Sequence, residues 1–183
     1  MASKSCLFTV DKATGLLGPA TYRESPNRDA RPDDTQPALI VVHGISLPPG
    51  HFGGPEIEAL FTNSLDWDAH PYFEEIRGME VSSHLLIRRD GVLVQYVPLN
   101  KRAWHAGQSR YRGRDNCNDF SVGIELEGTD DDPYTAAQYA AEAPDTPFGR
   151  RMAQLYTAYQ KALAGSPEVQ PGMVVSDLGA GKG

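Results

Sequence analysis

Cysteine is scarce. Cys6 and Cys117 are the only two in 183 residues, too few for a disulfide framework, and no CxxC pair offers a thiolate metal cluster. Two thiols fit a reducing compartment. Long apolar runs are missing as well. No stretch approaches the ~18 residues of a membrane span, and residues 1–20 carry lysines without the apolar core or cleavage site of a signal peptide. Positive charge is in deficit: 17 Lys and Arg face 24 Asp and Glu, a net charge of −7. That balance excludes nucleic acid and anionic membranes as natural partners, because both call for a basic surface. Histidine is absent after Glu125, since all five stand at positions 43, 51, 70, 84 and 105. The expectation is a cytoplasmic monomer with no nucleic-acid or membrane partner.

What is present reads as one domain. Apolar residues make up 40% and charged residues 22%, ordinary globular values that exclude wholesale disorder. Residues 1–36 are rich in turn signals such as Gly18-Pro19 and Arg31-Pro32-Asp33-Asp34, and are expected to wrap the domain rather than enter its core. Residues 38–43 form a β-branched apolar run between Pro37 and Gly44, which predicts a buried central strand. Pro55 opens a short helix over 56–61. Residues 84–89 and 92–97 flank Asp90-Gly91, a strong hairpin signal. Residues 103–119 read as loop. In 120–127, Val122, Ile124 and Leu126 alternate with Ser121, Gly123, Glu125 and Glu127, the period of a strand. Thr135 caps a helix through about 143, Pro144 and Pro147 interrupt it, and a second helix covers 148–164. Residues 173–175 form one more short strand. The pattern predicts an α/β (α+β) domain with a central mixed sheet flanked by helices.

Chemistry could sit at few places. His43 ends a buried strand at the mouth of a Gly- and Pro-rich loop, where sites form in such sheets. A neutral imidazole there could bind zinc, or could cap the strand through a backbone hydrogen bond. Glu125 and Glu127 share one strand face. On a cleft floor Glu125 is a candidate acid/base, and on a solvent face both are surface charges. Trp104-His105 places an aromatic plate beside an imidazole, suited to stacking on a sugar or peptide or to packing the loop down. Arg110, Arg112 and Arg114 could hold a carboxylate or simply be solvated. His84 reads as structural, and His51 and His70 as loop residues.

Seven segments, taken together and in order, carry a resemblance. They are Arg31-Pro32-Asp33-Asp34; Val41-Val42-His43-Gly44-Ile45-Ser46-Leu47-Pro48-Pro49-Gly50; Phe52-Gly53-Gly54-Pro55; Ala69-His70-Pro71-Tyr72-Phe73; Ser83-His84-Leu85-Leu86-Ile87-Arg88-Arg89-Asp90-Gly91; Trp104-His105-Ala106-Gly107; and Cys117-Asn118-Asp119-Phe120-Ser121-Val122-Gly123-Ile124-Glu125-Leu126-Glu127-Gly128. Over 25–140 the chain resembles the AmpD-type anhydromuramyl-L-alanine amidases, zinc amidases related to phage lysozyme-like amidases and peptidoglycan recognition proteins. The resemblance implies a mixed sheet with one zinc ion in a groove above it. It also implies hydrolysis of the amide between anhydro-N-acetylmuramic acid and L-alanine in cell-wall fragments recycled in the bacterial cytoplasm. An anhydro-muropeptide would be the substrate. His43 matches a zinc ligand and Glu125 the acid/base residue, while Trp104 and His105 line the substrate groove; Arg112 and Arg114, from the reading of their basic loop rather than from the resemblance, are the further candidate substrate contacts.

The end of the chain departs from that pattern. On this reading 1–24 is an arm and 25–183 the amidase-like domain, with 141–183 divergent. The family draws a second histidine and an aspartate from a Gly-His-Ser-Asp segment. Here the echo is Val175-Ser176-Asp177-Leu178, without the histidine. The second His and the Asp ligand are therefore not found. A single imidazole holds zinc poorly, because affinity comes from several ligands organised together. The expectation is weak zinc binding and slow turnover, with the alternative of a relative that binds peptidoglycan fragments without cleaving them.

Overall fold

The structure is a computed structural model. It describes residues 9–18, 20–129 and 131–138, and the backbone of 173–175. A six-stranded mixed sheet forms its centre, built from β1 (Thr21–Tyr22), β3 (Leu39–Ile45), β4 (Leu85–Ile87), β5 (Leu93–Gln95), β9 (Ser121–Glu127) and β10 (Met173–Val175). The order is β1-β5-β4-β9-β3-β10. Only β4 and β5 pair antiparallel, and every other neighbour is parallel. The longest ladder joins β3 and β9 over seven residues, from Leu39 opposite Ser121 to Ile45 opposite Glu127.

That ladder sorts the side chains, because in-register residues of parallel strands leave the sheet on the same face. One face carries Ile40, Val42, Leu85, Ile87, Leu93, Val122, Ile124 and Leu126. These pack into one apolar cluster with Leu17, Val10 and Tyr134. The other face carries Leu39, Val41, His43, Ser121, Gly123 and Glu125 on the central strands, and Leu86 and Val94 beyond them. Helix α1 (Glu56–Phe61) covers the Leu86–Val94 part of this face with Ile57, Leu60 and Phe61. The Phe61 ring meets Tyr96 edge-on at 5.1 Å. Each fully buried aliphatic or aromatic side chain contributes about 1.5–3 kcal/mol.

The hairpin expected over 84–97 is present, with Ile87 opposite Leu93. Its turn is a three-residue loop. Gly91 N–H donates to Arg88 O at 2.8 Å, Arg88 N–H donates to Val92 O at 3.0 Å, and Gly91 sits at φ 82°. Only Gly91 needs the left-handed conformation, the pattern of a type I turn closed by a bulge. Thr135 also does what its position suggests. Its Oγ1 accepts from Gln138 N–H at 3.2 Å while Gln138 Oε1 accepts from Thr135 N–H at 3.0 Å, a reciprocal capping box. The helix starts at residue 136. Its continuation to 143 and the expected helix over 148–164 lie outside the described residues.

Two expectations are corrected. Residues 103–119 are not all loop. β6 (Lys101–Ala103) pairs with β2 (Arg28–Ala30), and β7 (Arg110–Tyr111) turns through Arg112 and Gly113 into β8 (Arg114–Asp115). These strands are two or three residues long and charged, so no alternating apolar pattern announces them. The N-terminal segment does more than wrap the domain. β1 extends the sheet at its edge by pairing with β5, and Leu17 is buried in the core. Pairing two residues requires no apolar run, which is why the turn signals around them hid it.

Candidate functional site

The β3 run ends at His43, and the parallel register sets His43 directly opposite Glu125. Both side chains therefore rise from the same face of the sheet, and both are buried, at 1% and 2% exposure. Glu125 Oε2 has no hydrogen-bond partner among the described residues. Burial pushes the Glu125 carboxyl up to about 8, because the charged form is costly away from water. A buried, under-satisfied carboxyl of this kind is a candidate for a functional position.

Glu127, two residues on and on the same face, is arranged differently. One oxygen accepts from Gly53 N–H at 2.6 Å and the other from Arg89 N–H at 2.9 Å. It ties the loop after β3 to the β4–β5 turn. Arg88 adds a bond to Gly53 O at 2.8 Å, and the Arg89 guanidinium lies 4.3 Å from the Phe52 ring centroid. Of the two glutamates, one is a structural clasp and the other has an oxygen to spare.

His105 is more deeply placed than a groove-wall residue. It is 2% exposed, with Nδ1 3.0 Å from His43 Nε2 and Nε2 3.0 Å from Ser121 Oγ. Asn118 Oδ1 holds its backbone by accepting from His105 N–H and Ala106 N–H at 3.1 and 2.9 Å. A Cβ on Gly123 would lie 2.5 Å from the His105 ring, so the ring occupies the space that a side chain at 123 would take. Burial, followed by the neighbouring His84 and His43, holds the His105 pKa well below the ordinary histidine value.

His84 is structural. Its Nδ1 accepts from Gly123 N–H at 3.0 Å and its Nε2 lies 3.0 Å from Lys101 O. Burial and the adjacent Arg31 charge lower its pKa to about 3. Arg31 in turn donates to the carbonyls of Asn118, Asp119, Leu99 and Ser121. It belongs to the first of the seven segments, and its work is to fasten the foot of β9. His70 Nδ1 accepts from Tyr72 N–H at 3.2 Å and caps a short 3-10 turn. His51 is exposed in the loop after β3.

Trp104 is half-buried. Its indole N–H donates to Asp29 at 3.3 Å, and Arg102 bridges Asp29 and Asp119 beside it. Arg112 and Arg114 are exposed on the β7–β8 hairpin. Arg114 lies 4.0 Å over the Phe120 ring and Arg112 5.4 Å from the Tyr111 ring. The structure thus brings His43, Glu125 and His105 onto one face and leaves the two arginines on a separate element. Sequence reasoning missed Ser121, Asn118, Asp29 and the role of Gly123. A glycine inside a strand pattern was the available signal, since it marks a close approach.

Zinc needs three protein ligands in sites of this kind. No group of three His, Cys, Asp or Glu able to hold a metal ion occurs among the described residues. His43, His105 and Glu125 have the right donor chemistry but do not converge as three ligands, so they do not by themselves fit a zinc ion.

Known proteins are similar to this chain along most of its length. The family described as N-acetylmuramoyl-L-alanine amidase matches residues 33–144. The 1,6-anhydro-N-acetylmuramyl-L-alanine amidase AmpD of Escherichia coli (strain K12) is 57% identical over 157 residues, which is 86% of this chain and 84% of that protein. Its counterpart in Salmonella typhimurium (strain SL1344) is 56% identical over 157 residues, covering 86% and 82%. Among solved structures, a selenomethionine AmpD derivative superposes with a TM-score of 0.73 at 53% identity, covering 87% of this chain and 80% of that one. The solution structure of Citrobacter freundii AmpD gives 0.58 at 50% identity, covering 91% and 81%. The family match contains β3, the hairpin, Trp104-His105 and β9, the elements that assemble the buried polar face, and with such identity along most of the chain it establishes that the protein belongs to the N-acetylmuramoyl-L-alanine amidase family.

Proposed function

We propose that this chain hydrolyses the amide between anhydro-N-acetylmuramic acid and L-alanine in peptidoglycan fragments, as a cytoplasmic, monomeric enzyme of cell-wall recycling in a bacterium. The observation that carries the reading is identity above 50% to AmpD relatives over a stretch that includes both His43 and Glu125. Hydrolysis adds water across the amide. The hydroxyl goes to the lactyl carbonyl carbon, the C–N bond breaks, and the amine leaves with a proton. Glu125 takes the proton from water and returns it to the departing nitrogen. Such a shuttle works best when its pKa lies near the working pH, and a carboxyl lifted to about 8 is placed for it. His43 marks the reacting centre on the neighbouring strand. Trp104, held by Asp29, offers a plate for the sugar ring. Arg112 and Arg114 offer forks for a peptide carboxylate.

Zinc, if bound, would act as a Lewis acid on the scissile carbonyl, and His43 is the residue that would contribute to holding it. No step is assigned to a metal, because the described residues do not complete its ligand set. The sequence carries no histidine after Glu125, and that is what favours the second reading, a fragment-binding relative with little turnover. The purified chain incubated with an anhydromuramyl-peptide separates the two. Release of the L-alanyl peptide, with zinc retained through dialysis, supports the amidase. Tight binding of intact substrate, with substoichiometric zinc and no product, supports the binder.

A further inference from the structure

We propose that Asp29 is a positioning residue for substrate binding, an inference that rests on the function proposed above. By accepting from the Trp104 indole, and by being held in turn by Arg102, it fixes the ring as a plate for the sugar in register with the strand that carries Glu125.

The backbone of Trp104 is already pinned. Its N–H donates to Ser82 Oγ and its carbonyl accepts from Ser82 N–H, both at 3.0 Å. What remains free is the side chain, which turns about two bonds. The ring is half-buried, and its one polar atom is a donor. That atom donates to Asp29 Oδ2 at 3.3 Å. Strand pairing puts the acceptor there. Asp29 stands opposite Arg102, and Trp104 follows Arg102 by two residues, diagonal to Asp29 and within reach of an aromatic side chain. Asp29 is itself held. Arg102 donates to its Oδ2 from Nη1 at 2.9 Å and to Asp119 Oδ1 from Nε at 2.6 Å. Asp119 lies just before β9. The row Trp104–Asp29–Arg102–Asp119 therefore ties the plate to the strand of Glu125. The residue after Trp104 is His105, 3.0 Å from His43, so the plate borders the reacting centre. Ordering a rotamer-rich side chain at the moment of binding lowers affinity. With Asp29 in place that ordering is complete on folding, and the effect falls on binding rather than on the chemical step.

The test is a double-mutant cycle. Binding of an anhydromuramyl-peptide is measured by calorimetry on the full chain carrying Glu125→Gln, which removes turnover, and KM and kcat on chains that keep Glu125. Position 29 is exposed, so Asp29→Ala is expected to fold. It should weaken binding about 2–10-fold and raise KM to match, with kcat within about twofold. Asp29→Asn, which keeps an oxygen for the indole, should recover part of the loss. Trp104→Phe keeps a ring without the N–H. In its background Asp29→Ala should cost nothing further, because residues that act through one contact are not additive. Asp29→Asn reads the same coupling if the alanine variant does not fold. Proton–nitrogen-15 NMR supplies the signature. With Trp67→Phe, Trp104 is the only tryptophan, and Asp29→Ala should move its indole N–H upfield and speed its exchange with water. An unchanged indole signal or undiminished binding overturns the proposal. So does an equal loss with and without the indole N–H, which would put Asp29 on the substrate itself. A chain that binds no peptide even with Asp29 and Trp104 intact defeats the proposed function, and this proposal with it.

Discussion

The two faces of strand β9 contrast sharply. On one, Val122, Ile124 and Leu126 disappear into an apolar cluster that any well-packed sheet would contain. On the other, Ser121, Gly123, Glu125 and Glu127 are equally buried, although nothing in their chemistry favours leaving water. The first face gains stability from burial and the second spends it. A fold that keeps a carboxyl with an oxygen unpartnered among the described residues under cover is organised around that carboxyl, and the apolar face supplies the stability that permits it.

The largest effect should come from Glu125→Gln. Amidase turnover is expected to fall by about 10²–10⁴-fold, the range of one proton-transferring group, while the fold survives. Stability should move the other way. The folded pKa of Glu125 is raised, so its contribution is fully present below the unfolded value and is lost as pH rises through about 8. The variant should therefore match wild type near pH 4.5 and exceed it at pH 8 and above, by on the order of 2–4 kcal/mol. Urea unfolding of metal-free protein at both pH values reads this. A variant less stable than wild type at pH 8 would erase the contrast between the faces.

Next comes Ile124→Ala, one residue away on the opposite face. It should cost about 2–5 kcal/mol by opening a cavity, with kcat of the surviving folded protein close to wild type. Glu127→Ala should fall below that, near ~2 kcal/mol, because Gly53 N–H and Arg89 N–H lose their acceptor at the partly exposed rim. Thermal or urea unfolding ranks the two. A Glu127 variant that unfolds normally yet loses turnover would move this glutamate into the chemistry.

The last effect is a slope, the smallest per pH unit. His84 is held neutral with its pKa lowered to about 3, against about 6.5 in the unfolded chain. A depressed folded pKa gives stability that is present above the unfolded value and lost as pH falls. Below about pH 6 this group should remove about 1 kcal/mol per pH unit. His105 acts in the same direction. The decline is cleanest in the Glu125→Gln background, where the opposing titration is gone, and is measured as the unfolding free energy between pH 7 and 4.

Much of the sheet was legible because β-branched runs such as Ile40-Val41-Val42 admit few other readings. The Asp90-Gly91 pair announced its hairpin for the same reason, since the φ of Gly91 is open to few residues. The polar face of β9 was not legible from pattern. Alternation looks the same whether the polar side meets solvent or a buried site, and only distant neighbours decide. His105 shows this best, with partners 16 and 62 positions away in the chain. The resemblance supplied the pairing of His43 with Glu125 that spacing alone left open. Nothing local marked Arg31 as the fastener of β9, since its acceptors are carbonyls, which every residue carries.

The seven-residue ladder between β3 and β9 has a consequence for how the protein fails. Both strands lie inside the sheet, with β4 and β10 on their outer sides. Peptide hydrogens in such strands exchange with solvent through opening of the whole domain rather than by fraying. His43 and Glu125 face each other across this ladder, so their separation cannot drift while the ladder holds. Heating should therefore produce no partly working intermediate: a decay curve followed by catalysis and one followed by circular dichroism should fall on the same line.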